Sequence, residues 1–436
     1  MNPSDSESVW QPENRKRLET AASFLNRGIL MSKHPDLKKY IVLTVCCLLL
    51  IAAASFLTSR NAKIFDNQTA RVYATYLVRV DEVLNIKETE NPYAGTYSNS
   101  VTDVEFKGTI LYGEHKGETV TATQSFDAMV SHKNTAVEPG NWIYVSDVGG
   151  GYCIAGNYFR IKGVAVLFVL LLVFLILFAG IKGVSTTLAL GFTIASVFLV
   201  FVPAILSGYN IYLWAILVCL FSIVITPLYV GGFNIKSVAA AIGSAGGVLL
   251  AAVLTVVMTR TLKITGFASD EAMYVITLLK EPIDMRAIVF AATLIGALGS
   301  TLDVSMSIAA SVWEMHETNK ELSFQKVLRS GFNIGRDILG TQISTLILAY
   351  IGSSLSTVLL LVAYQSSVLD LLNLEVVILQ LLDMLIGAST ILLTIPFTAA
   401  VSAVLFTGHK ARPKTAGKRV RRSSDKGEER VIFKAN

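Results

Sequence analysis

The chain has 436 residues, of which 53% are hydrophobic and only 16% charged, and its formal net charge is +5. A soluble domain of average composition is about 25% charged, so this composition excludes an ordinary soluble protein. The five histidines and four cysteines show no zinc-ligand spacing, and we expect neither a metal site nor a structural disulfide.

The first apolar block, 40–58, follows a basic segment, 1–39. A membrane-spanning helix needs about 20 mostly apolar residues, and this block is long enough. The preceding segment is too long for the n-region of a cleaved signal peptide. We therefore predict that 1–39 is a cytoplasmic N-terminal segment and that 40–58 is a signal-anchor helix.

Residues 59–162 form the only sizeable polar segment between apolar blocks, and their pattern predicts β-structure. Two strands are expected around the turn "GEHKGE", two more around the glycines 149–151, and a further strand within "RVYATYLVRV". About five strands predict a small extracytoplasmic all-β domain, either an OB-like barrel or a sandwich. Capping the membrane domain and binding a ligand or partner are equally compatible with this segment.

Seven further apolar blocks predict a seven-helix membrane domain, 163–407, and thus about eight transmembrane helices in all. The tail, 408–436, carries ten basic and three acidic residues. Because Lys and Arg favour the cytoplasmic side, both termini are expected inside, and the tail is expected to contact anionic lipid rather than nucleic acid. The seven blocks are 163–181, 184–206, 210–230, 235–259, 286–312, 338–363 and 376–406.

A short helix is predicted before the seventh span, from about Ser323 to Ser330. Gly331 suits the left-handed residue that follows a helix end. Asn333 or Gly335 would then restart the chain into the span.

The sixth span contains a carboxylate, Asp303, within a stripe of small residues. Ionisable groups inside spans are costly and usually face protein or a cavity. We predict that Arg336 in the next span pairs with Asp303, and that hydrogen bonds from Asn333, Thr341 or Gln342 complete its environment. A permanent structural pair and an ion or proton site remain equally open. The stripe consists of Gly296, Gly299, Ser300, Asp303, Ser307 and Ala310.

Two other carboxylates are candidates for an ion or substrate site. Asp337 shares a face of the seventh span with Thr341, and Asp383 shares a face of the eighth span with Gly387, Thr390 and Thr394. Pro396 would either break the eighth helix or be tolerated as a kink. Four glycines are predicted to pack helices closely, namely Gly243, Gly247, Gly296 and Gly299.

The segments "GALGSTLDVSMSIAAS", "SGFNIGRDILGTQISTLILAYIGSS" and "LYGEHKGET" resemble the YibE/F family of bacterial membrane proteins, over nearly the whole chain from the first span to the eighth. The chain has Leu339 where the family often has methionine. The resemblance implies a polytopic fold in a bacterial plasma membrane. It supplies no catalytic residues.

The polar residues within spans favour a membrane transporter or permease, coupled to protons or cations through intramembrane carboxylates. The alternative is a non-transporting scaffold or sensor whose outer β-domain binds a partner or envelope component. The sequence contains no HExxH, GxSxG or phosphate-loop motif, so an enzyme is not expected, nor is a cofactor. A homo-oligomer or a membrane partner is left open.

Overall fold

The computed structural model describes residues 37–60, 74–90, 100–127, 136–149, 152–268, 272, 283–364 and 367–408. Within these ranges 8 helices are long and apolar enough to cross a membrane, so the protein is a multi-pass membrane protein, as predicted. Almost all of the N-terminal segment 1–39, and the tail from 409 onward, lie outside the described residues. The chain divides into two compact units, which are described in turn.

The β-domain belongs to the first unit and is a closed five-stranded barrel, the first of the two predicted alternatives. All neighbouring strands pair antiparallel except β3 and β5, whose short parallel contact completes the barrel. This arrangement is of the OB-like type. The strands are β1 (Ala74–Glu90), β2 (Ser100–Ile110), β3 (Thr119–Asp127), β4 (Trp142–Gly149) and β5 (Tyr152–Tyr158).

Strand β1 closes the barrel because it is long enough to pair on both sides. Its first part pairs with β4 and its longer second part pairs with β2. Register shifts after Val80 and after Val83 bend the strand near the point where the pairing with β4 ends. Gly108 lies where β2 pairs closely with β1. Glycine is needed there because an added Cβ would lie 2.6 Å from the Arg79 carbonyl oxygen. The enclosed core consists mainly of β-branched side chains and Phe106.

The first, third and fourth helices of the chain pack around Tyr229 in the first unit, whereas the second helix has no buried residue. Its hydroxyl lies 2.8 Å from the Thr44 hydroxyl of the first helix, and its ring lies 5.7 Å from that of Phe192. The predicted anchor is therefore part of the core of this unit rather than a separate tether. The helices are α1 (Leu37–Ser59), α2 (Ile161–Ala179), α3 (Ile181–Leu206, with a π-helical turn at Val197–Phe201) and α4 (Ile211–Gly231).

The second unit is a bundle of four long helices. Thr293 of the sixth span contacts Asp383 of the eighth, and Ser305, further along the sixth, contacts Thr398, further along the eighth. Helices α6 and α9 therefore run parallel. The helices are α5 (Ile235–Thr261), α6 (Met285–Thr318, of which the unit contains the part from Ala292), α7 (Phe324–Tyr364), the short α8 (Val368–Asn373) and α9 (Glu375–Gly408).

The predicted break before the seventh span is wrong, because α7 is one helix of 41 residues that begins at Phe324. The two glycines expected to end one helix and start another are buried instead. An added Cβ at Gly331 would lie 2.8 Å from the Ala399 Cβ, and one at Gly335 would collide with Ile395. Glycine is used here for close helix approach, a role that the local sequence does not distinguish from a helix end.

Cys153 tests whether the barrel forms as described. Burial raises the pKa of its thiol, and the nearby charge of Asp147 raises it further. Because the thiolate is the reactive species, Cys153 should react with maleimide at neutral pH at least about tenfold more slowly than a cysteine at the exposed neighbour in a Tyr152→Cys/Cys153→Ala variant. Alkylation would be followed by mass spectrometry after replacing the other cysteines. Equal rates would contradict the closed barrel.

Candidate intramembrane carboxylate site

Helix α9 carries a polar face along most of its length. The residues of this face recur at three- and four-residue spacing, which places them on one side of a helix. Thr390, Thr394, Thr398 and Ser402 have no exposed surface at all. We call this surface the hydroxyl face, and it consists of Asp383, Gly387, Thr390, Thr394, Thr398 and Ser402.

The threonines of the hydroxyl face bond partly to their own helix. Thr390 donates to the Ile386 carbonyl at 2.6 Å, and Thr394 donates to the Thr390 carbonyl at 2.7 Å. Such back-bonding satisfies the hydroxyl in an apolar setting and tends to bend a helix. Pro396 follows within the same stretch, but α9 continues through it without interruption.

Asp383 is hydrogen-bonded to a second helix and lies close to a third. The Thr293 hydroxyl of α6 donates to its carboxylate at 2.5 Å. One turn further along α9, an added Cβ at Gly387 would lie 2.8 Å from the Leu346 Cδ2 of α7. Tyr350 of α7 lies over Gly296 of α6, where an added Cβ would be 2.7 Å from its hydroxyl oxygen. Helices α6, α7 and α9 therefore meet near this carboxylate, which we call the Asp383 site.

The hydroxyl face packs against glycines of α5. An added Cβ at Gly243 would lie 2.9 Å from the Thr398 Cβ. One at Gly247 would lie 2.7 Å from the Thr301 Cγ2 and would collide with Thr394. Because α5 has glycine at these two positions, three helices approach closely. The Thr398 hydroxyl thereby reaches Ser305 of α6 at 3.2 Å.

The predicted ion pair between Asp303 and Arg336 is not formed: among the described residues, the ion pairs found involve neither side chain. Asp303 is exposed, because the buried face of α6 contains Thr301, Val304 and Ile308, on the other side of the helix. Of the stripe of small residues, Gly296 lies close to Tyr350 of α7, whereas Gly299 and Asp303 lie outside the packed face of α6. At Gly299, within that stripe, an added Cβ would meet nothing within 4 Å.

The polar residues predicted to surround Asp303 also face away from the packed side of α7. Gly331 and Gly335 fix which side packs, and Asn333, Arg336, Asp337 and Thr341 are exposed, whereas Gln342 is half-buried. The helices also differ in level. Gly296 lies beside Tyr350, which in antiparallel helices places Asp303 beside about residue 343, and thus about 10 Å along the axis from Arg336.

Of the residues predicted for an ion or substrate site, Asp383 therefore has the most developed surroundings. Sequence reasoning missed its hydrogen-bond donor, Thr293, and the tyrosine that packs beside Gly296, Tyr350. Thr293 falls on the α6 face that also contains Ala297 and Thr301, and this second polar face could have been noticed. Tyr350 carries no sequence signal, because aromatic residues are common near the ends of spans.

The Asp383 site combines a carboxylate with a hydroxyl group. No Lys or Arg among the described residues forms an ion pair with it. An uncompensated carboxylate in an apolar environment is unfavourable. Within the described part of the chain, no three His, Cys, Asp or Glu side chains lie together as metal ligands.

A family model described as YibE/F-like protein matches residues 167–408, more than half of the chain. The chain belongs to the YibE/F-like family. The match includes the Asp383 site of this YibE/F-like protein, but it begins within α2 and leaves out α1 and the barrel. It is therefore shorter than the resemblance drawn from the sequence. No curated protein and no solved structure matches the chain.

The glycines Gly247 and Gly299 allow a matched test of the packing. In Gly247→Ala the new methyl group must displace Thr301 and Thr394, and we expect destabilisation by about 1–3 kcal/mol. In Gly299→Ala the methyl group enters open space, so stability should stay unchanged or rise by up to about 1 kcal/mol from helix propensity. Thermal unfolding of the purified proteins in one detergent would compare them. Equal losses in both variants would refute the packing described.

Proposed function

We propose that this YibE/F-like protein is a membrane transporter in which Asp383 binds the coupling ion. The observation that carries the proposal is the hydrogen bond from Thr293 to Asp383, at the start of the buried hydroxyl face of α9. Ionisable groups inside membrane-spanning helices are rare and commonly mark ion or proton pathways. A transporter gives this carboxylate a role that helix packing alone does not require.

The coupling ion is a proton or a small cation. Asp383 is half-buried, and its hydrogen-bond donor, Thr293, carries no charge. In a low-dielectric environment a carboxylate is stabilised when a proton or a cation neutralises it. Binding and release of that ion would change the charge at the junction of α6, α7 and α9. This change would bias the packing of the three helices.

Helix α9 is suited to respond to that change. Its threonines compete with the backbone for the carbonyls of Ile386 and Thr390. Pro396 lacks the amide hydrogen that would bond to the Leu392 carbonyl. These features weaken the backbone hydrogen bonding of the stretch 386–396, which follows Asp383 directly along α9. We propose that α9 flexes there during transport.

We further propose that both termini are cytoplasmic, that the barrel is extracytoplasmic and that the protein resides in a bacterial plasma membrane. The short connection between α6 and α7 contains Lys320, whereas residues 207–209 between α3 and α4 contain no Lys or Arg. This bias agrees with the ten basic residues of the tail. An even number of spans returns both termini to one side.

Two carboxylate variants test the transport proposal. Proteoliposomes would be screened for solutes that accumulate under an imposed pH or sodium gradient, and the active solute would then be used. Asp383→Asn should lower gradient-driven uptake by about tenfold or more, because the amide cannot exchange a proton or neutralise a cation. Asp303→Asn, the matched exposed carboxylate of the same unit, should retain most of the activity.

The proposal fails if no solute accumulates under either gradient. It also fails if Asp383→Asn transports like the wild type. A loss confined to Asp303→Asn would move the site to the opposite face of α6.

The second candidate, a scaffold or sensor, is favoured by one feature of the barrel. Tyr112 and Tyr152 are 81% and 77% exposed. Both lie at the barrel end that is opposite to the start of α2, because β2 ends and β5 begins there. Large exposed aromatic side chains suit a partner-binding surface. If this function is correct, a variant with both tyrosines replaced by serine fails to complement a strain from which the gene has been deleted, whereas Asp383→Asn complements it.

Cysteine labelling tests the proposed orientation. In a background without native cysteines, Tyr152→Cys should react with a membrane-impermeant maleimide in intact cells. Lys320→Cys, in the connection between α6 and α7, should react only after the membrane is permeabilised. The reversed pattern would place the barrel in the cytoplasm.

A further inference from the structure

The barrel end from which α2 emerges carries a cluster of aromatic and basic side chains. Phe159 lies between Trp142 and Tyr144, with ring centroids 5.7 and 6.0 Å apart. The Lys162 Nζ lies 4.6 Å from the centroid of Trp142. Arg160 lies over Tyr158 at 5.9 Å. We call Trp142, Tyr144, Tyr158, Phe159, Arg160 and Lys162 the basal cluster.

The length of α2 fixes where the basal cluster lies. This helix has 19 residues, a hydropathy of 3.0 and no buried residue. Its length is about 28 Å, close to the thickness of about 30 Å of the hydrocarbon core. The helix therefore has no spare turns that could lift its first residue out of the membrane. Ile161 must begin near one boundary of the core.

The residues next to Ile161 must then lie among the lipid headgroups. Arg160 precedes it directly and Lys162 follows it. Because Lys162 contacts Trp142, the start of β4 must lie at the same depth in the membrane. Trp and Tyr prefer this layer because one part of the ring system is apolar and another forms hydrogen bonds. Two cations complement the phosphate groups found there.

No acidic side chain neutralises these cations in the described part of the chain. Glu138 is close enough to influence Tyr158, but no ion pair joins it to Arg160 or Lys162. The guanidinium and ammonium groups contact aromatic rings, which orient them without removing their charge. They stay available for an anion.

We infer that the basal cluster is a binding surface for the phosphate groups of anionic phospholipids. Arg160 and Lys162 contact the lipid phosphate, and Trp142 and Phe159 insert at the boundary of the hydrocarbon core. The barrel is thereby seated on the bilayer rather than held above it on a flexible stalk. This surface is independent of the Asp383 site and of the side of the membrane on which the barrel lies.

A single-tryptophan protein tests the seating of the barrel. Trp10, Trp214 and Trp313 would be changed to Phe in the full chain, which would be reconstituted in vesicles that contain spin-labelled phosphatidylcholine. Trp142 fluorescence should be quenched most strongly by a label on the headgroup or on the first acyl carbons. In the control, Trp142→Phe with Tyr152→Trp moves the single tryptophan to the opposite barrel end, where lipid labels should not quench. Equal quenching at both positions, or none at Trp142, would overturn the inference.

The charge dependence tests the phosphate contact. Brominated phosphatidylglycerol should compete with phosphatidylcholine for the surroundings of Trp142 with a preference of about fivefold or more. The double variant Arg160→Gln/Lys162→Gln should lose this preference while Cys153 stays protected from maleimide, which shows that the barrel is folded. Quenching without a preference for the anionic lipid, or a preference unchanged in the double variant, would refute the role of the two cations.

Discussion

An acidic side chain within a membrane bundle needs polar partners that the hydrocarbon cannot supply. In the second unit of this protein, the Thr293 hydroxyl donates to Asp383 and so joins α6 to α9. The remaining contacts of α9 follow from this placement. Once Asp383 is turned towards α6, the helical repeat turns Thr390, Thr394 and Thr398 into the same interface. The helix opposite these threonines must then have small residues at the contact positions.

Helix α5 meets that need with glycine. Gly243 lies against Thr398, and Gly247 lies against Thr394 and Thr301. Hydrophobic burial cannot drive the association of helices that already lie in lipid, so close packing and hydrogen bonds must provide the stabilisation. The glycines opposite Thr394 and Thr398 bring the backbones together and let the Thr398 hydroxyl of α9 reach Ser305 of α6. The hydrogen bond between the helices thus depends on the close approach that the glycines allow.

These features show what the sequence could and could not predict. Long apolar blocks and alternating strands are local signals, and they located the helices and the barrel strands. The face on which a membrane helix packs is less easily predicted, since lipid-facing and buried positions are both apolar. The small residues around Asp303 satisfied the usual pattern for packing, yet α6 packs through Thr301 and Ile308. Gly331 likewise matched a helix end, although its function in α7 is close approach to Ala399. In each case the deciding contact comes from a distant segment of the chain.

Asp303 and Asp383 have the same side chain but different surroundings. Both are aspartates within long helices of the same unit, but among the described residues only Asp383 accepts a hydrogen bond from a hydroxyl of another helix. The family match contains this environment and excludes the barrel. The long helices α6, α7 and α9 exceed the length needed to cross the core, whereas α2 only just spans it. The position of the barrel is accordingly fixed by the bilayer through α2, while the surroundings of Asp383 are fixed by contacts between helices. We therefore expect lipid composition to affect the barrel and ion binding to affect the bundle.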